Sequence, residues 1–99
     1  MKTYKEIRED LKNIRYYFSR KDAMSERAVI LGECNILKTI AMYNEVVCQA
    51  PPKLYDLYYF IYVENNTHES AADKIGVGRE YITRLHAKLL RFIQNHLVA

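Results

Sequence analysis

Ninety-nine residues, 49% of them apolar, allow one modest domain or two tightly packed subdomains and exclude a disordered tail. The longest uninterrupted apolar run, Leu57 to Val63, is too short to cross a bilayer, and the opening Met1-Lys2-Thr3-Tyr4-Lys5-Glu6 lacks an apolar secretion core, so a cytoplasmic protein is expected. The net charge of +3 is unevenly spread: Lys/Arg outnumber Asp/Glu seven to four in residues 1–23, trail three to four in 24–63 and lead five to four in 64–99, so basic ends flank a neutral middle, a distribution that suits a polyanionic partner.

Tyr4, Ile7, Leu11, Ile14 and Phe18 recur at alternating spacings of three and four, which predicts one apolar stripe on a helix from about Thr3 to Arg20. Lys5, Arg8, Glu9, Lys12, Asn13 and Arg15 fill its other faces. Two heptads are too few for a long coiled coil, so the stripe reads as one helix packed on another. A second helix starts at Ser25, a good N-cap, with Glu26 in its first turn. It carries two apolar rows, Val29, Ile36, Ile40, Tyr43 and Val47 beside Ile30, Cys34, Leu37, Ala41 and Cys48, a width that calls for neighbours on two sides. Cys34 and Cys48 on one helix stand roughly 21 Å apart, too far for a disulfide, and reduced buried thiols are expected. No Cys or His pair has zinc spacing, and no metal or other cofactor is expected.

Ala50-Pro51-Pro52 ends that helix, because proline lacks the amide donor and restricts the residue before it. From Pro52 to Val63, Leu54, Leu57, Tyr58 and Ile61 fall at helical spacing, while the aromatic and β-branched content favours a strand. Helix is preferred, since proline suits a first turn and a lone strand has no partner. Asn65-Asn66-Thr67 reads as a turn and cap, followed by helices from about His68 to Lys74 and Arg79 to His96, broken by Gly76-Val77-Gly78. The expectation is an all-α fold of about five helices: an N-terminal helical hairpin over 1–49, then a three-helix helix-turn-helix domain over 50–99.

A helix-turn-helix places a small residue where its two helices meet and a glycine in the turn, where a left-handed backbone disfavours side chains. Ala72, with Ala71 beside it, and Gly76 fill those places without a gap; Ile75, Val77, Ile82 and Leu85 form the expected buried set, and Gly78 is the N-cap of the second helix. Two packed helices of a generic bundle are the alternative.

Thr67 to Ile93 also resembles the promoter-reading region 4 of bacterial sigma-70-type factors, gap-free over 27 positions. Val77-Gly78-Arg79-Glu80-Tyr81-Ile82 and Ala87-Lys88-Leu89-Leu90-Arg91 are similar to that family's Val-Thr-Arg-Glu-Arg-Ile and Ala-Lys-Ala-Leu-Arg blocks. Tyr81-Ile82-Thr83-Arg84-Leu85-His86 is closer still to small phage and prophage regulators of the RinA/ArpU type, late-transcription activators with a sigma-like C-terminus. Residues 1–49 match in helical character only, and the sigma core-binding and promoter-melting regions do not fit in a chain of this length, so a complete sigma factor is not expected.

The resemblance implies a recognition helix in the major groove, and the chemistry of its exposed side agrees. Arg79, Glu80, Thr83 and Arg84 are the expected base contacts, since arginine forks onto guanine and glutamate accepts from cytosine N4. Arg84 stands where the family has glutamine and Tyr81 where it has arginine, so the family's preferred sequence does not carry over. Lys88 and Arg91 are expected phosphate contacts, as are Thr67 and His68 at the start of the first motif helix. His86 is expected to pack, partly exposed, and His96 to favour the helix dipole. The nine tyrosines, four of them between Tyr55 and Tyr62, divide between core and surface.

The expected function is therefore sequence-specific binding of double-stranded DNA by a transcriptional regulator of phage or prophage type, with residues 1–49 forming a homodimer or a partner contact. The rival is a protein-interaction module that engages RNA polymerase or inhibits a host factor without reading DNA. No Ser/His/Asp set, nucleotide loop or paired acids point to an enzyme.

Overall fold

The computed structural model describes residues 2–20 and 35–97. Thr3 starts the first helix, α1 (Tyr4–Ser19): its hydroxyl accepts the Glu6 amide at 3.2 Å while the Glu6 carboxylate accepts the Thr3 amide at 3.0 Å, a reciprocal capping box. That amide, with the Thr3 hydroxyl, holds the Glu6 carboxyl below the usual carboxylate range. α2 (Asn35–Val47) stops ahead of Pro51, and α3 (Pro52–Tyr58) begins with proline in its first turn, where the missing amide leaves no bond unmade. α3 runs on into one π-helical turn, Tyr59–Val63, in which the Glu64 amide donates to the Tyr59 carbonyl at 2.9 Å. α4 (His68–Ile75) and α5 (Arg79–His96) complete the described elements. With the π turn counted as part of α3 these are five helices, and no strand occurs among the described residues. The helix reading of Pro52 to Val63 holds, with a last turn wider than periodicity predicts.

The five helices share one apolar cluster. α1 contributes Ile7, Leu11, Ile14 and Tyr17 and packs on the π turn, α2 and α5; α2 contributes Ile40, Tyr43, Val46 and Val47. α5 lies against every other helix and buries Ile82, Leu85, Leu89, Leu90 and Ile93. The described parts of residues 1–49 and 50–99 are thus joined by a common core. Polar bonds reinforce it: the Tyr43 hydroxyl donates to Asp10 Oδ2 at 2.6 Å, Tyr58 donates to Asn44 Oδ1 at 2.8 Å, and Gln94 Nε2 ties the end of α5 to the Lys2 carbonyl at 3.1 Å. Burial, then the bond to Asp10, pushes the Tyr43 phenol well above its ordinary value, and burial does the same to Tyr58.

Three expectations need correction. Tyr17, not Tyr4 or Phe18, completes the buried face of α1, which packs on three elements at once; Tyr4 is exposed and Phe18 half-buried. On α2 the row through Ile40, Tyr43 and Val47 is covered, with Val46 buried beside it, while Leu37 is 40% exposed and Ala41 and Cys48 also face outward. The Cys48 thiol is therefore free and exposed, not buried. Ser25, Glu26, Val29, Ile30 and Cys34 lie outside the described residues. No helix among the described residues is long and apolar enough to cross a membrane.

Candidate nucleic-acid interface

α4 and α5 owe their placement to a short, strongly specified turn. Thr67 caps α4 by accepting the Ser70 amide at 3.1 Å, and Gly76 ends it in a left-handed conformation with φ +84°. The amides of Gly76 and Val77 both donate to the Ala72 carbonyl, at 2.8 and 2.9 Å. Gly78, in extended backbone, precedes α5 without a side-chain cap. Ala71 and Ala72 are 0% and 2% exposed, so α4 approaches its neighbours over small side chains, as the sequence pattern requires. Ile82 and Leu85 are buried, and Ile75 and Val77 pack partly buried against the core.

Burial of one side of α5 leaves the other outward. Arg79, Glu80, Thr83 and Arg84 are all exposed on its first two turns, and Lys88 and Arg91 are exposed farther along. The leading end of α5 is not walled in by the rest of the described molecule. Arg79, 76% exposed, forms an ion pair with Glu69 of α4, itself 64% exposed. Thr83 Oγ1 donates to the Arg79 carbonyl at 3.4 Å, and Lys53 Nζ stands 5.6 Å from the centre of the exposed Tyr81 ring. Thr67 and His68 are exposed at the start of α4.

His68 is also drawn into a second feature. Its ring lies 4.9 Å from that of His86, and His86 Nε2 is 2.5 Å from the Tyr62 hydroxyl. Burial above all, then His68 and Arg8, lowers the His86 pKa to about 4, so the ring is neutral at pH 7; burial raises the Tyr62 phenol to about 12. These rings face Lys5, Arg8, Glu9, Lys12 and Arg15 of α1 across an open cleft of about 360 Å³, floored by Ile61 and Tyr62. Arg15 donates to the carbonyls of Asn65 and Asn66 at 3.3 and 3.4 Å, fastening α1 to the turn that leads into α4.

The expected base contacts are therefore exposed together on the first turns of α5, while His68 lines a basic cleft. The cations of α1 were not among the expected contacts, although their spacing of three, four and three was legible as a row. His96 stacks on Phe92 at 4.0 Å near the end of α5, away from both features. Among the described residues no three His, Cys, Asp or Glu side chains gather into a metal-binding set. No protein-family model, curated protein or solved structure matches the chain.

Proposed function

We propose that this protein is a sequence-specific double-stranded DNA-binding transcriptional regulator, of the phage or prophage type that its C-terminal half resembles, acting in the cytoplasm. The observation that carries the reading is the free leading face of α5, which offers Arg79, Glu80, Thr83 and Arg84 together to solvent. A helix held out by a short turn fits a major groove, and its first turns meet the base edges. Lys88, Arg91, Thr67 and His68 supply phosphate contacts around it. The Glu69 pair restrains the Arg79 guanidinium near that face, and an ion pair this exposed gives it up to a base at little cost.

Selection of bound duplexes from a random pool tests the proposal. Arg79→Ala should lose about 1–3 kcal/mol on the selected site and relax the choice at one base pair. An Arg79→Ala protein that ranks the selected site and its mismatches as the parent does would refute the base-reading role. The outward row of Leu37, Ala41 and Cys48 on α2 favours an added role for residues 1–49 in self-association or in contact with RNA polymerase. A homodimer would select two half-sites about 34–36 Å apart, and light scattering reports its mass.

A further inference from the structure

We infer that the cleft between α1 and the His68–His86 wall is a second DNA-contacting surface, which holds a run of backbone phosphates beside the groove read by α5; the inference rests on the reading of α5 above. Lys5, Arg8, Lys12 and Arg15 recur at helical spacing, so they form one row about 15 Å long. The acids of α1 do not cancel it. Glu6 is engaged in the Thr3 capping box, and Asp10 receives Lys2 Nζ at 2.7 Å and the Tyr43 hydroxyl at 2.6 Å. Among the described residues, Glu9 is the one acidic side chain lining the cleft.

Lys5, Arg8 and Lys12 are exposed and make no hydrogen bond or ion pair with any described residue. Unpaired cations in a concave site concentrate positive potential there. A strand carries one phosphate per 3.4 Å of duplex axis and turns about that axis at each step, so a 15 Å row spans at most about four of them and still more than one isolated anion needs. His68 lines the cleft, and Glu69, the next residue, holds Arg79 at the start of α5. The start of α4 thus joins the cleft to the leading end of α5, which places the two surfaces next to one another along the chain.

The test uses the full chain, a fluorescent random-sequence duplex, the selected duplex and inorganic tripolyphosphate as competitor, between 50 and 200 mM salt. Lys5→Gln/Arg8→Gln/Lys12→Gln should weaken binding to both duplexes by about tenfold or more, and lower the slope of log affinity against log salt by about 2–3. The preference for the selected site should be unchanged. Far-UV circular dichroism and the thermal midpoint check the fold, and Lys5→Gln/Lys12→Gln should give an intermediate slope. If the triple variant keeps the parental affinity and slope, the cleft assignment is overturned while the α5 reading stands. If the parent binds both duplexes equally and the triple variant binds neither, base reading falls and the cleft stands. Displacement of the duplex by micromolar tripolyphosphate would assign the cleft to a small polyphosphate and overturn the strand. A parent that binds no duplex at 50 mM salt overturns both.

Discussion

Two glycines only two residues apart should respond to substitution with opposite sign. Gly76 holds φ +84° and ψ 38°, and a Cβ built there meets nothing within 4 Å, so a methyl group at this position is opposed by backbone conformation alone. The left-handed region costs an alanine about 1–2 kcal/mol, and the stiffer unfolded chain returns part of that. Gly76→Ala should therefore destabilise by about 1 kcal/mol, and Gly76→Asn by less. Gly78 has φ −77° and ψ 165°, equally open surroundings and no side-chain cap. Serine there places a hydroxyl against the first amides of α5 and also restricts the unfolded chain, a gain of about 0.5–1 kcal/mol. In urea unfolding followed by far-UV circular dichroism, the two variants should move the midpoint in opposite directions at a common slope, with thermal midpoints displaced by about 4–8 °C per kcal/mol. A Gly76→Ala midpoint at or above the parent's refutes the argument that the turn is set by a left-handed residue.

His86 stays neutral down to about pH 4 in the folded chain, whereas the unfolded imidazole takes its proton near 6.5, so stability should fall as pH drops between those values. Because the ring is partly exposed, the loss is about 1–3 kcal/mol; His86→Gln should flatten the curve, and an unchanged pH profile would remove His86 as its source. Tyr43→Phe keeps the buried ring and deletes the bond to Asp10, which still has Lys2; a loss of about 1–2 kcal/mol in chemical unfolding is expected, and a neutral variant would show that bond to be dispensable. Leu89→Ala removes a fully buried side chain from α5 and should cost about 2–5 kcal/mol by the same measurement; a loss below 1 kcal/mol would mean that the site collapses around the gap.

The helix boundaries around Gly76 were legible because each rests on local chemistry. Thr67 accepts an amide, Gly76 takes a left-handed backbone, and Ala71 and Ala72 admit a neighbour, all within ten residues. What escaped was tertiary. Periodicity counted two apolar rows on α2, but only packing decides that Val47 is covered and Leu37 is not. The 3-4 spacing on α1 chose Tyr4 and Phe18, whereas the neighbour it meets favours Tyr17. The basic row of α1 was visible as ordinary solvated charge; its opposition to His68 and His86 depends on residues more than fifty positions away. The Glu69–Arg79 pair likewise spans the turn and has no signature in either helix alone.

The wide turn at Tyr59–Val63 acts as a phase adjuster between the first half of the chain and the second. It accommodates one residue more than a regular α turn, so whatever follows is rotated by about 100° relative to an uninterrupted helix. Excision of a single residue there would let the helix relax to ordinary pitch and swing the Asn65 and Asn66 carbonyls out of reach of Arg15. The angular setting of α1 against α4 and α5 is therefore sensitive to a one-residue change in the length of this segment, a dependence that no pairwise contact in the core would reveal.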